Sequence, residues 1–160
     1  MLKTKDFYLL KVYDLRGKYL GIIGDVYIDF STGIVKGFLI SNYKFFSKKN
    51  FITTSNIMTI EDVMIVKELD LKEGISFREI KDIDVRDRNN TILGVLEDLI
   101  IEEKDFSIKG LIISSGIFDR IFKGKEILLH KQCILGEDFI LYYGNGEVRL
   151  KTLPRKKKYV

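Results

Sequence analysis

Short runs of alternating hydrophobic and polar positions, separated by turn residues, cover most of the chain, and this pattern is typical of β-strands. The first half predicts strands at LLKVYD (9–14), YLGIIGDVYIDF (19–30), IVKGFLIS (34–41), FITT (51–54) and VMIV (63–66). The second half predicts strands at IDVRD (83–87), ILGVLEDLIIEE (92–103), FSIKGLIIS (106–114), KEILLH (125–130) and FILYY (139–143). Helix is restricted to a turn or two, around Ser55 and in SFREI (76–80).

Two stretches nearly repeat each other, because VKGFLIS (35–41) returns as IKGLIIS (108–114), 73 positions later. The same shift aligns Val12 with Val85, Asp14 with Asp87, Leu20 with Leu93 and Asp25 with Asp98. After a three-residue insertion near 120–123 the shift becomes 76, and EDVMI (61–65) matches EDFIL (137–141). A register kept over this length indicates an internal duplication. We predict a first repeat at 1–70, a second at 75–148, and a basic C-terminal strand or tail at 149–160.

Four glycines occupy matched positions inside predicted strands: Gly21 and Gly94 form one pair, and Gly37 and Gly110 form the other. Glycine inside a strand usually marks a bend, a bulge or a close backbone approach, and such features let a short sheet curl into a barrel. Asn145-Gly146 after FILYY is a hairpin signal. The predicted fold is therefore all-β, with two small, partly open β-barrels in tandem and an extra C-terminal hairpin strand.

The order Val, Asp, turn, Leu-Gly, Asp, Lys-Gly and a final Glu-Asp before a strand resembles the PRC-barrel domain in both copies. The likeness covers roughly residues 5–66 and 78–142. This family includes the cytoplasmic part of the photosynthetic reaction-centre H subunit and the C-terminal domain of the RimM ribosome-maturation factor. The resemblance implies small barrels that serve as protein-interaction modules and carry no catalytic constellation.

Composition agrees with a β-rich protein, since alanine is absent and isoleucine, valine, phenylalanine and tyrosine are plentiful. The single cysteine, Cys133, excludes an internal disulfide and favours a reducing, cytoplasmic location. No apolar run approaches the roughly 18 residues of a membrane-spanning helix, so we expect no transmembrane segment. The opening MLKTKDFYLL is too short in its apolar part for a secretory signal and leads into a strand pattern.

The net charge of +4 is unevenly distributed along the chain. Residues 149–160 carry six Lys or Arg and no acid, residues 1–72 carry a net +3, and residues 73–148 a net −5. The body is therefore not a uniformly basic nucleic-acid binder.

Residues able to support catalysis are few. His130 and Cys133 form an H-x-x-C pair, but the sequence holds no second His or Cys to complete a zinc site. We read them as a strand-end histidine and a small buried cysteine. We expect Asp25 and Asp98 to lie in mid-strand and face outward. The sequence therefore predicts a protein that is not an enzyme and has no cofactor and no metal.

Two loops combine aromatic or aliphatic residues with basic ones: NYKFFSKK (42–49) and SGIFDRIFKGK (115–125). Their apolar side chains either cap the barrel ends, as matched Phe45 and Phe118 would, or contact a protein partner. The candidate partner-binding residues are Tyr43, Lys44, Phe46, Ile117, Arg120 and Phe122.

The basic tail is a second candidate surface, with the charged residues Arg149, Lys151, Arg155, Lys156, Lys157 and Lys158. Such a run is either a solvated end or a contact for RNA phosphates, anionic membrane lipid, or the acidic second half. Two functions follow from these surfaces. The leading one is an adaptor that docks an unidentified protein partner, and the alternative is a ribosome- or RNA-associated assembly factor.

Overall fold

The computed structural model describes residues 1–41, 48–115, 125–145 and 150–152, the last segment by its backbone. The fold is all-β and comprises two partly open β-barrels, as predicted. The chain forms two compact units. Unit 1 consists of Met1–Ile80 and Ile101–Ile108, and unit 2 of Lys81–Ile100 and Lys109–Val160. Unit 1 thus includes two segments that belong to the second copy of the duplicated sequence.

The strands are short, apart from one long strand in each copy. The first eight are β1 (Leu2–Lys3), β2 (Lys11–Asp14), β3 (Tyr19–Asp29), β4 (Ile34–Ser41), β5 (Phe51–Thr53), β6 (Ile57–Ile60), β7 (Val63–Val66) and β8 (Ile75–Ser76). Those that follow are β9 (Asp84–Arg86), β10 (Ile92–Ile101), β11 (Ile108–Ser114), β12 (Lys125–Leu129), β13 (Cys133–Leu135), β14 (Phe139–Tyr142) and β15 (Leu150–Thr152). Single helical turns are α1 (Thr4–Phe7), α2 (Phe77–Ile80) and two 3₁₀ turns (Thr54–Asn56 and His130–Gln132). No helix in the described ranges is long and apolar enough to cross a membrane.

The sheet of unit 1 runs in the order β5-β4-β3-β2-β7-β6, with β8 on β3. Strands β2 and β7 are parallel, and the other pairs are antiparallel. Alternate side chains of β3 point into the barrel, as the period of a strand requires. The fully buried core includes Val12, Ile23, Val26, Phe38 and Met64.

The sheet of unit 2 runs in the order β13-β14-β9-β10-β11-β12-β15. The strand expected after Asn145-Gly146 is present as β15, but it pairs with β12 rather than with β14. The physical reason is that β14 already has a neighbour on each edge, β13 and β9, whereas β12 offers an open edge. The C-terminal strand therefore covers a sheet edge, as edge strands in natural proteins often require.

The structure confirms the duplication. Strand β3 corresponds to β10 at the shift of 73, and β7 corresponds to β14 at the shift of 76. The sequence pattern missed α1 and the short strands β1, β6, β8 and β13. Strands β6 and β13 each begin directly after a 3₁₀ turn, which interrupts the alternation of hydrophobic and polar positions.

The matched glycines lie at two kinds of position. Gly21 and Gly94 have φ angles of +142° and +158° and sit where the ladder shifts register by one residue. Gly37 and Gly110 lie where a neighbouring strand approaches closely, β5 in one copy and β12 in the other.

Aspartates close the tight turns through backbone N–H donors. Asp14 accepts from the N–H groups of Arg16 and Lys18, both at 2.9 Å, and Asp87 closes the matching turn of the second copy. In the turn after β3, Asp29 Oδ1 accepts from Ser31 Oγ at 2.7 Å and from the Thr32 N–H at 3.1 Å. These bonds lower the pKa of Asp29 to about 2.

This turn should make stability depend on pH in acid. The pKa of Asp29 is about 2 in the folded chain, against an ordinary value of 3.8, so its stabilising contribution is present above pH 3.8. The contribution is lost as the pH falls from about 4 to about 2, because over that interval the carboxyl group binds a proton in the unfolded chain while it stays ionised in the folded chain. Asp29→Asn should therefore flatten the decline of the urea midpoint across that interval. Equal slopes for wild type and variant would contradict the assignment.

Candidate functional site

The residues singled out from the sequence for partner binding fall outside the described structure. Those in the two loops are Tyr43, Lys44, Phe46, Ile117, Arg120 and Phe122. Those in the tail are Arg149, Arg155, Lys156, Lys157 and Lys158, while Lys151 is placed by its backbone in β15. The loop and tail assignments therefore stay predictions.

The structure shows a different candidate surface, a groove of about 460 Å³ in unit 1. The segment that includes α1, the strand β6 and the turn between β10 and β11 enclose it. Its apolar lining residues are Leu2, Phe7, Leu10, Ile57, Met58, Ile60 and Phe106, and its polar ones are Asp6, Thr59, Glu61 and Glu103. This volume lies within the range of about 300–1,000 Å³ that is usual for ligand-binding sites.

Aromatic rings support the floor of the groove. Phe7 is buried at 1% exposure and its ring centroid lies 4.7 Å from that of Phe38, a fully buried residue of β4. The ring of Phe106 meets Phe38 edge-on at 6.1 Å. These contacts attach the floor of the groove to the core of unit 1.

Phe106 reaches this position on a segment of the second repeat. The turn that carries it pairs with the beginning of β4, where the Val35 N–H donates to the Phe106 carbonyl at 3.0 Å. The Ile108 N–H likewise donates to the Gly33 carbonyl at 2.7 Å. Phe106 has a φ of +56°, a left-handed conformation that costs a side-chain-bearing residue about 1–2 kcal/mol. Its counterpart in the first copy is Gly33, with a φ of +68°, where no such cost arises.

The charged residues that line the groove are all acidic: Asp6, Glu61 and Glu103. Asp6 also accepts the Lys3 N–H at 2.7 Å and so caps α1. Because no lysine or arginine is among the lining residues, the carboxylates are not neutralised within the groove lining. An apolar floor beneath a negative rim suits a ligand that combines an apolar group with a positive charge.

Strand β6 borders the groove along its length. Ile57, Met58, Thr59, Ile60 and Glu61 all line it, and they are consecutive. Met58 is 52% exposed, which makes it one of the prominent apolar side chains at the surface.

Asp25 and Asp98 do not face outward, and that expectation is wrong. They are only 4% and 6% exposed. Asp25 Oδ1 accepts the Val26 N–H at 2.8 Å, and its other carboxylate oxygen accepts the hydroxyl of buried Ser76. Asp98 Oδ1 accepts the Leu99 N–H at 2.8 Å in the matching position. Asp25 therefore ties β3 to β8, and its role is in the fold.

Hydrogen bonds and an ion pair fix the chain near the boundary between the two repeats. The carboxylate of Asp70 accepts from Asn56 Nδ2 at 2.7 Å and from Thr53 Oγ1 at 2.9 Å. Burial opposes ionisation of Asp70, but these hydrogen bonds outweigh it and lower its pKa. Glu73 pairs with Lys36 at 2.5 Å.

Cys133 is buried, and its thiol lies 3.5 Å from the Leu129 carbonyl, to which it donates. Burial raises the pKa of this thiol to about 12, so it is not a reactive thiolate at neutral pH.

Within the described residues, no three or more His, Cys, Asp or Glu side chains are grouped so that they could hold a metal ion.

Sequence reasoning missed the groove because three separate segments build it. Residues 57–60 carry no strand prediction, and Glu103 and Phe106 lie at the facing ends of two predicted strands of the other repeat. The signal that could have found it is the unlike pair Gly33 and Phe106, since a bulky residue stands where its copy has glycine.

Comparison with known families gives one result. The family profile of the PRC-barrel domain matches the chain twice, over residues 1–71 and 72–148. A search of curated proteins finds no match to the chain.

Proposed function

Because the chain belongs to the PRC-barrel family through both of its repeats, we propose that it is a non-enzymatic adaptor that binds a protein partner. The observation that carries this proposal is the acid-rimmed apolar groove of unit 1. A cytoplasmic location is part of the proposal, and the single cysteine supports it. In this role unit 1 presents the groove, and the groove selects the partner.

The physical basis is the combination of apolar area with lining residues whose charges are all negative. Burying an exposed side chain such as Met58 contributes about 25 cal/mol for each Å² removed from water. The rim carboxylates of Glu61 and Glu103 add selectivity, because they attract basic segments and repel acidic ones. Neither feature needs a catalytic group.

A capture experiment tests this function. The tagged full-length chain is used to retain proteins from native lysate, with and without nuclease, beside two variants. Glu61→Lys combined with Glu103→Lys reverses the rim charge, and Glu79→Lys changes an exposed acid of α2 that does not line the groove. We expect a defined protein that survives nuclease, is retained by wild type and Glu79→Lys, and falls at least tenfold with the rim variant.

Equal capture by all three forms would exclude the groove as the docking site. In that case the loop residues Phe46 and Phe122 become the next candidates, and Phe46→Ser with Phe122→Ser tests them in the same assay.

The basic C-terminal segment supports an alternative function, that of a ribosome- or RNA-associated assembly factor. Six Lys or Arg residues within residues 149–160 are enough for salt-sensitive binding to phosphates. Under this alternative, ribosomal RNA and ribosomal proteins are retained, nuclease releases them, and deletion of residues 149–160 abolishes retention. The rim variant leaves that retention unchanged.

A further inference from the structure

We propose that the groove binds its partner by strand addition: an extended segment with apolar and basic side chains pairs with the outer edge of β6. This inference rests on the proposed function and specifies the chemistry of the partner. It follows from the way β6 meets the groove, from the edge that β6 leaves open, and from the charge of the rim.

The first step concerns the direction in which β6 faces the groove. Successive side chains of a strand point to opposite faces, so a cavity on one face is lined by every second residue. Here five consecutive residues, 57–61, line the same groove. A groove that is lined by both the odd- and the even-numbered residues of a strand lies along the edge of that strand, where the backbone N–H and C=O groups point.

The second step concerns pairing. In the described part of the chain β6 ends the sheet of unit 1, with β7 as its neighbour. An open strand edge is a template for another chain, and peptide recognition by strand addition uses it directly. The pairing with β7 shifts register between Ile57 and Thr59, which places exposed Met58 at a bulge. Met58 is thus available to pack on an added strand.

The third step concerns the occupant. The edge from residue 57 to residue 61 spans about 13 Å at about 3.3 Å per residue, which matches about five residues of extended peptide. One face of such a peptide would meet the apolar floor of Phe7 and Phe106. Its basic residues would lie near Glu61 and Glu103, so alternating apolar and basic residues fit best.

The fourth step asks whether the groove residues also occur at the matched positions of the other copy. At the shift of 73, Glu103 and Phe106 correspond to Phe30 and Gly33, so this acid and this ring have no chemical equivalent in the other copy, whereas Glu61 corresponds to Glu137 at the shift of 76. Glu103 and Phe106 are therefore the residues that distinguish the groove from the matching surface of the other copy.

Synthetic peptides test this inference on the full-length chain. The probe is a fluorescent peptide of about seven residues that alternates Val and Lys, and the first control alternates Val and Glu. Two further peptides are N-methylated, one on every Val and the other on every Lys. Alternate N–H groups of an extended peptide lie on the same edge, so one of these two peptides cannot pair with β6 while the other can.

We expect the Val-Lys peptide to bind at least tenfold more tightly than the Val-Glu peptide, and the two N-methylated peptides to differ at least tenfold. Glu61→Lys with Glu103→Lys should weaken Val-Lys binding at least tenfold, whereas Glu79→Lys should not. Hydrogen exchange at the amides of residues 57–61 should slow when the peptide is bound, because local opening then requires its release.

Several results would overturn strand addition. Equal affinity of the two N-methylated peptides would mean that the groove recognises the side chains of the peptide and not its backbone. Absence of saturable binding below about 1 mM would leave the Val-Lys probe with less than about 4 kcal/mol of affinity and refute the assigned chemistry. A dimer of the chain with β6 protected before peptide is added would make a second copy the occupant. Increased peptide affinity after deletion of residues 153–160 would make the chain's own tail the occupant.

These results also separate this inference from the proposed function. If the peptides do not bind while the rim variant still loses its captured protein, the adaptor function is supported and strand addition is refuted. If the rim variant captures its partner as wild type does, the groove assignment itself falls.

Discussion

Gly37→Ala is expected to lower the free energy of unfolding by about 3 kcal/mol, at the upper end of what overpacking costs. A Cβ atom on Gly37 would overlap the carbonyl oxygen of Ile52 and approach two ring carbons of Phe51, at 2.6 and 2.8 Å. Both neighbours belong to β5, and Phe51 and Ile52 are fully buried, so neither can move aside without disturbing the core. Guanidinium unfolding monitored by tyrosine fluorescence and circular dichroism measures the loss.

The matched glycine of the second copy provides the control. A Cβ atom on Gly110 would lie 3.0 Å from Ile127 Cγ2 and 3.0 Å from the Leu128 carbonyl oxygen, a contact that small shifts can relieve. Gly110→Ala should therefore cost about 1 kcal/mol. Equal losses at the two positions would show that the close approach of β5 to β4 does not limit the residue at 37.

Asp25→Ala is expected to lower the free energy of unfolding by about 3 kcal/mol, because it leaves two buried donors without their acceptor. These donors are the Val26 N–H and the hydroxyl of Ser76, and Ser76 is itself buried. The same denaturant titration measures the effect.

A double-mutant cycle isolates the bond between Asp25 and Ser76. Ser76→Ala alone should cost about 1 kcal/mol, and adding it to Asp25→Ala should cost less than the sum by about 1 kcal/mol, since one of the unsatisfied donors is then removed. Strict additivity would mean that the two side chains do not depend on each other.

The repeated part of the fold could be predicted from the sequence because its signals are long. Strands β3 and β10 have eleven and ten residues, and their alternation of buried and exposed positions is unmistakable. The shift of 73 then extends each assignment to the other copy. Strands β6 and β13 each begin directly after a 3₁₀ turn, which interrupts the alternation, and the partner of β15 depends on which sheet edges are open.

The orientation of Asp25 could not be predicted because a charged residue in a strand normally faces water. It is buried here with donors for both carboxylate oxygens, the Val26 N–H beside it and the hydroxyl of Ser76 from 51 positions away. The groove could not be predicted from the sequence for a related reason. Phe106 joins Phe7 through the pairing of a turn with β4, and local sequence patterns do not contain long-range pairings.

The composition of unit 1 has a consequence for the order of events during protein synthesis. Because unit 1 includes Ile101–Ile108, its core contact between Phe38 and Phe106 cannot form when residue 80 leaves the ribosome. Translation at about 5–20 residues per second adds the missing segment roughly 1–6 s later. The nascent chain passes through this interval without Glu103 and Phe106, so the groove is absent. A partner that recognises the groove will therefore bind finished chains and ignore those still being made at that stage.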